Sequence, residues 1–218
     1  MKSKFLLIVV LSAIALSANA QTEKGKTLIG GSFGFSDNKG NRKSLSERIT
    51  SYNFAPNAAY FIKDNLAIGL GLSYGRTKVK GYLYQATNGV GSVNGSNETQ
   101  YMVMPYIRRY FKINEQLKVF GQTTFFASSN KVREENNYGY PTTNPTIKYH
   151  TFGASISPGL AFFPSKHFAI EFSFPLLSYS YQRYTQVPQP NLANLDNNQT
   201  LSFGLDTFNP SIGLNFHF

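Results

Sequence analysis

Strict alternation of apolar and polar residues marks the last stretch of the chain, residues 208–218, which read FNPSIGLNFHF. Every even-numbered position from Phe208 to Phe218 is apolar, and every odd-numbered position is polar or glycine. Successive side chains of a β-strand point to opposite faces. The pattern therefore predicts a strand with one apolar face and one small or polar face.

The same alternation recurs along the chain and predicts eight strands. They cover about residues 27–36, 48–62, 66–75, 98–112, 117–128, 149–163, 167–182 and 200–218. The faces of the fifth strand are ambiguous, but Lys118 and Gln122 favour an outward position for Val119 and Phe125.

The predicted connections alternate between long and short. Polar loops cover about residues 37–46, 80–97, 129–148 and 183–198, and short turns lie at about 63–65, 113–116 and 164–166. Long extracellular loops and short periplasmic turns are typical of outer-membrane barrels.

A proline repeat accompanies these hairpins. Prolines at 56, 105, 158 and 210 each lie on the apolar face of the second strand of a hairpin. Proline lacks a ladder donor, so we interpret the repeat as a shared bulge or bend.

The two faces of the strands favour a membrane barrel over a soluble one. A soluble barrel packs bulky apolar groups inside, whereas here the small and polar faces cannot form a dry core and the opposite faces are too apolar for water. Aromatic residues near the strand ends are expected to form interfacial girdles. They are Tyr52, Tyr60, Phe61, Tyr101, Tyr110, Phe111, Phe162, Phe163, Phe168, Phe216 and Phe218. The predicted fold is all-β, an eight-stranded antiparallel up-and-down transmembrane β-barrel with four long outer loops and three short periplasmic turns.

Residues 1–20 have the features of a cleaved signal peptide: a start with Lys2 and Lys4, an apolar run, and Ala-Asn-Ala before Gln21. The barrel domain then covers residues 21–218. The chain has no cysteine, which excludes disulfides and thiolate metal sites. The mature chain also has no apolar run of the ~18 residues that a spanning helix needs.

The signal peptide, the four-hairpin layout and the closing strand with Phe216 and Phe218 resemble small outer-membrane barrels of the OmpA/OmpX type. Among these, the chain is most similar to the outer membrane protein β-barrel domain (porin-family) proteins of Gram-negative bacteria. The resemblance implies a location in the bacterial outer membrane. It also implies that the barrel-assembly machinery reads Phe216 and Phe218 as an assembly signal.

The interior of an eight-stranded barrel is just wide enough for side chains to fill it. Arg108 and Glu171, together with Lys118, are the predicted inward charges, and we expect a network that plugs the lumen. His217 is a further inward candidate. The predicted function is a structural or surface-interaction role, and the alternative is a narrow porin-like channel for ions or small solutes.

Catalytic chemistry has little support in the sequence. A lipid A-modifying barrel needs a Ser/His/acid group near its outer rim, where His150 lies after Glu134 and Glu135. No motif ties these residues to a serine, so we expect no enzyme, no cofactor and no metal, and such an enzyme is the least favoured alternative.

Positive charge is the remaining signal, since the chain carries a net charge of +10, or +8 without the two lysines of the signal peptide. Arg76, Lys78 and Lys80 alternate and therefore share a face at the outer end of the third strand. We predict that they contact lipopolysaccharide phosphates in the outer leaflet, with ordinary solvated loop charge as the alternative. Further cations lie in or beside the other loops: Lys131, Arg133, Lys148 and Arg183. The export signal argues against a nucleic-acid partner.

Overall fold

A computed structural model describes residues 22–42, 45–85, 91–137, 146–186, 197–204 and 211–218. The predicted signal peptide lies outside these residues. Ten β-strands follow one another: β1 (Thr27–Arg42), β2 (Leu45–Lys63), β3 (Leu66–Gln85), β4 (Gly91–Lys112), β5 (Leu117–Asn137), β6 (Thr146–Ser165), β7 (Phe168–Ser173), β8 (Leu177–Gln186), β9 (Asn198–Phe203) and β10 (Ser211–His217). No helix long and apolar enough to span a membrane occurs in the described segments.

The strands close into an antiparallel barrel. In the periplasmic half, β1 to β6 pair in sequence, β6 pairs with β7, β7 with β10, and β10 returns to β1. This ring of eight confirms the predicted closed barrel. In the outer half, β8 takes the place of β7 beside β6, and β9 pairs with β8. Within the described residues, no pairing joins β9 to β1.

Two predicted strands are each divided into two segments. The seventh strand is interrupted between Ser173 and Leu177, because Pro175 has no N–H to donate. Beside this break, the Leu176 N–H donates to the Ile156 carbonyl at 2.9 Å. The described part of the predicted eighth strand consists of β9, which ends before Gly204 in a left-handed conformation with a φ of 109°, and of β10; residues 205–210 lie outside the described residues. The prediction of a continuous strand was therefore wrong between Ser173 and Leu177 and at Gly204.

The repeated prolines interrupt pairing on one side only. Pro56 pairs with Gly31 on β1, but the ladder from β2 to β3 skips it and resumes in the same register. Pro105 shows the same arrangement between β3 and β5. At both positions the ladder skips two residue pairs on the side of the missing N–H but keeps its register, so the predicted bulge is wrong there. At Pro158 the pairing of β6 does change, from β8 to β7. Pro210 lies outside the described residues.

The outer hairpins are longer than predicted, because the strands continue into the stretches assigned as loops. β1 and β2 pair as far as Arg42 and Leu45, and β3 and β4 as far as Gln85 and Gly91. Polar side chains do not prevent a backbone ladder, so the Asn-, Ser- and Thr-rich ends of these strands still pair. The loops predicted at 37–46, 80–97 and 129–148 were therefore too long, and the loop predicted at 183–198 began too early, whereas its end agrees with the start of β9 at Asn198.

The outward face carries the large apolar side chains, as the alternation predicted. Phe33, Leu72 and Phe125 are exposed on the outer wall. Three aromatic residues assigned to the girdles are instead buried inside the barrel: Phe61, Tyr110 and Phe163. The prediction that the inner face could not form a dry core was also wrong at the periplasmic end, because large side chains occupy the inner positions there.

Candidate functional site

A hydrogen-bonded ion pair crosses the lumen in its periplasmic half. Arg108 on β4 donates through Nη1 to Glu171 Oε2 on β7 at 2.7 Å, and both side chains are buried. The Tyr110 hydroxyl accepts from Arg108 and donates to Glu171 Oε1, each at 2.9 Å. Arg108 Nε donates to Gln122 at 2.7 Å. Both carboxylate oxygens of Glu171 and the Nε and Nη1 atoms of Arg108 thus have polar partners, as burial of charge requires.

Aromatic rings enclose the guanidinium. The Arg108 Cζ lies 4.4 Å from the centroid of Phe120 and 5.4 Å from that of Tyr106. Phe120 in turn lies over Gly159, its partner on β6, where an added Cβ would meet the ring at 2.2 Å. The glycine therefore makes room for the ring that packs against the arginine.

Packed aromatic residues close the lumen on the periplasmic side of the ion pair. Phe61 contacts Tyr110 and His217, and Phe163 contacts His217, with ring centroids 5.2–5.9 Å apart. Leu28 is fully buried beside them in the periplasmic ring. We call Phe61, Tyr110, Phe120, Phe163 and His217 the aromatic floor.

The segment after the predicted signal peptide covers the periplasmic side of this floor. Thr22 is buried, donates to Asn65 Oδ1 and accepts a hydrogen bond from Lys118 Nζ, both at 2.6 Å. Lys118 also lies over the Phe163 ring. Of the three predicted lumen charges, the structure therefore brings Arg108 and Glu171 together and gives Lys118 a different partner.

Above the ion pair, the lumen is open rather than filled. A cavity of about 370 Å³ extends outward from Arg108 and Glu171, and its walls include Ser, Asn, Gln and Met side chains and the backbone of glycines. Hydrogen bonds line it, including Asn53 Nδ2 to Ser73 at 2.7 Å. The expectation of a lumen filled by side chains is therefore correct for the periplasmic half and wrong for the outer half.

The candidate catalytic residues do not meet. His150 pairs with Ser129 and Arg183 on the outward face, whereas Glu134 pairs with Ser96 on the inner face. The side chain of Glu135 lies outside the described residues. No group of three or more His, Asp or Glu that could hold a metal ion occurs in the described part of the chain.

Outward-facing cations follow the aromatic residues at the outer end of the wall. Arg76, Lys78 and Lys80 continue the outward face of β3 beyond Tyr74, as predicted from their alternation. The residues assigned to loops lie on strands and face the same way. Together they form what we call the basic belt: Arg76, Lys78, Lys80, Lys131, Arg133, Lys148 and Arg183.

One acidic residue on this side of the barrel is already paired. Asp37 accepts hydrogen bonds from Arg48 Nε at 2.8 Å and Nη2 at 2.7 Å, in the exposed hairpin of β1 and β2. The Arg48 guanidinium lowers the pKa of the Asp37 carboxyl to about 2. Asp37 is therefore not available to neutralise the basic belt.

Sequence reasoning missed Tyr110, Phe120 and Thr22 as parts of the lumen site. The signal for Tyr110 was available, because Tyr106, Arg108 and Tyr110 alternate on the inner face of β4. Nothing in the sequence pattern indicates that Thr22 lies under the barrel.

A family of outer-membrane proteins agrees with this architecture. The family model described as "Outer membrane protein beta-barrel domain" matches residues 6–216. No curated protein matches the chain. Among solved structures, Ail of Yersinia pestis is 16% identical and OprG of Pseudomonas aeruginosa 10% identical, with TM-scores of 0.43 and 0.47. The matches cover 89% of this chain and 99% of Ail, and 90% of this chain and 97% of OprG.

A third match, the N-terminal barrel of Pseudomonas aeruginosa OprF, is 12% identical, with 91% of this chain and 100% of that barrel covered and a TM-score of 0.38. The family match spans nearly the whole chain, from before β1 to Phe216 in β10. The chain belongs to the outer membrane protein β-barrel domain family and is a β-barrel of the bacterial outer membrane.

Proposed function

We propose that this protein has a structural or surface-interaction role in the outer membrane and does not conduct solutes. The observation that carries the proposal is the seal across the periplasmic half, formed by the Arg108–Glu171 pair and the aromatic floor. Moving a solute through would require the ion pair to open in a buried site, which leaves each charge without its partner.

The function of Arg108 and Glu171 in this account is to stiffen and plug the barrel. Lys118 adds to the closure through Thr22 rather than through the ion pair. These contacts connect β4 to β7 through Arg108 and Glu171, and β5 to the segment before β1 through Lys118 and Thr22.

A narrow channel is the second candidate, and the polar cavity above the ion pair favours it. Solute efflux from vesicles separates the two. Vesicles that contain the folded protein should retain entrapped glucose and small ions as well as protein-free vesicles do. Rapid loss of either solute would support the channel and contradict the sealed lumen.

Lipid A modification is the least supported candidate, because His150 and Glu134 lie on opposite faces of the wall. Mass spectra of lipid A from cells with and without the protein provide the test. We expect identical acylation, and a new or missing acyl chain would overturn the non-enzymatic assignment.

Two partners follow from the surface of the barrel. We propose that Arg76, Lys78 and Lys80 contact lipopolysaccharide phosphates, because they face outward just beyond Tyr74 in the outer part of β3. Replacement of the three cations by glutamine should weaken lipopolysaccharide retention without altering barrel assembly.

We also propose that the barrel-assembly machinery recognises the terminal strand through Phe216 and Phe218.

A further inference from the structure

A groove runs along the lipid-facing wall where β5 presents small side chains. Ala127 and Ser129 face outward there, whereas the neighbouring strands present Tyr101 and Phe152. The groove has a volume of about 540 Å³, extends across the wall from Phe54 and Pro56 on β2 to His150 on β6, and is lined mainly by apolar side chains. Its size is that of a small-molecule site, although it lies on the outer surface of the wall.

Two lysines lie at the outer end of this groove. Lys131 follows Ser129 on the outward face of β5, and Lys148 is the next outward residue beyond His150 on β6. The two are direct partners across the strands, which places their Cβ atoms about 5 Å apart. Like charges in directly opposed positions are destabilising, so this arrangement favours an anion between or beside them.

The described residues supply no such anion. Neither lysine forms an ion pair with a described acid. Glu98 and Glu134 lie on the inner face, and Asp37 is bound by Arg48. Arg76 adds a third outward cation, since it and Lys131 both pair with Thr99 on β4.

We propose that the lipid-facing surface of β4, β5 and β6 is a specific site for a phosphorylated glycolipid, the lipid A part of lipopolysaccharide. One acyl chain lies in the groove over Ala127 and Ser129, and a phosphate lies between Lys131 and Lys148. The site rests on the proposed outer-leaflet contacts and gives them a location. Charge complementarity selects this occupant, since a second copy of the chain would bring the same cations against one another.

The test is lipid retention by the folded mature protein in nanodiscs of phospholipid with a small fraction of lipid A. Native mass spectrometry after release into detergent counts the bound lipids. The Lys131→Gln/Lys148→Gln variant removes the phosphate contacts, and Ala127→Phe fills the groove. Matched controls are Lys24→Gln/Lys63→Gln, which removes the same charge from the exposed periplasmic end, and Gly121→Phe, which adds a ring to the outward face of β5 on the periplasmic side of the groove.

Wild type and both controls should retain lipid A in preference to phospholipid. The retained fraction of lipid A should fall about tenfold in Lys131→Gln/Lys148→Gln and in Ala127→Phe. The wild-type protein should retain dephosphorylated lipid A at the same reduced level. Equal retention by all variants, or equal retention of phospholipid, would overturn the site. Loss of lipid A retention in the Arg76→Gln/Lys78→Gln/Lys80→Gln variant alone would support the proposed phosphate contacts of these three cations and would contradict the groove site. Folding of each variant is checked by its heat-modifiable gel mobility, and if Ala127→Phe does not fold, the lysine variant decides.

Discussion

Arg108 and Glu171 lie 63 residues apart in the chain, on strands that are not neighbours, yet they meet across the lumen at 2.7 Å. Strands β5 and β6 separate them along the wall, so the contact spans the interior of the barrel. The pair is tied to Tyr110 and Gln122 and enclosed by aromatic rings. The polar cavity lies on the outer side of this pair, and the aromatic floor closes the lumen on its periplasmic side.

Breaking this pair on one side should be costly. Glu171→Gln leaves the Arg108 charge buried without its counter-ion, and we expect a loss of about 3–5 kcal/mol in the free energy of unfolding. Urea unfolding of the protein in lipid vesicles measures it. Arg108→Gln/Glu171→Gln should recover part of the loss, because neither charge is then stranded. Lys112→Gln, which breaks the exposed pair with Glu115, is the control and should change stability little. A Glu171→Gln variant as stable as wild type would contradict the buried pair.

The contact between Gly159 and Phe120 gives a second stability prediction. A Cβ at Gly159 would lie 2.2 Å from Phe120 Cζ, so Gly159→Ala must displace the ring that packs on Arg108. Overpacking of this kind costs about 1–3 kcal/mol. The same unfolding measurement applies.

Gly121 provides the matched control for this prediction. It is next to Phe120 on β5 but exposed, and an added Cβ there would have no atom within 4 Å. Gly121→Ala should therefore leave stability unchanged or raise it slightly. Equal losses for the two alanine variants would show that the effect comes from the strand backbone and not from the ring.

Asp37 should remain ionised to unusually low pH. Arg48 lowers its pKa to about 2, so the ion pair is present above the ordinary carboxyl pKa and is lost only as the pH falls through about 2. Carboxyl NMR titration measures the midpoint. In Arg48→Gln the midpoint should return towards the ordinary value of about 3.9. A wild-type midpoint near that value would exclude the ion pair in solution.

Removal of residues 216–218 should block assembly of the barrel. His217 and Phe216 pair with Leu28 and Ile29, and Phe218 exchanges two backbone hydrogen bonds with Thr27, at 2.8 and 3.0 Å. Their loss opens the ring where β10 meets β1. Cell fractionation and heat-modifiable mobility measure assembly. Phe218→Ala is the control, because it removes the aromatic side chain but keeps the backbone hydrogen bonds to Thr27, and it should impair assembly less than the truncation. Normal insertion of the truncated chain would refute the prediction.

Alternation along the chain was sufficient to predict a closed ring of eight strands and the outward face of most of them, although two of the predicted strands are not continuous. It assigns a side chain to a face but does not give its height in the barrel. For this reason Arg108 and Glu171 could be identified as inward charges, while their contact depends on the register of eight strands. The girdle assignment of Phe61 and Phe163 ignored the alternation, which places both inside, opposite the outward residues Tyr60 and Phe162. The break at Pro175 could not be predicted, because the apolar pattern continues through it.

Single-channel recording in planar lipid bilayers tests the sealed lumen most directly. The folded mature protein, its insertion verified by heat-modifiable mobility, should produce no current steps at any applied voltage. A variant with Arg108→Ala, Tyr110→Ala and Phe120→Ala, which removes the central seal, serves as the positive control and should conduct if it inserts. Stepwise, voltage-stable conductance from the wild-type protein would contradict the account.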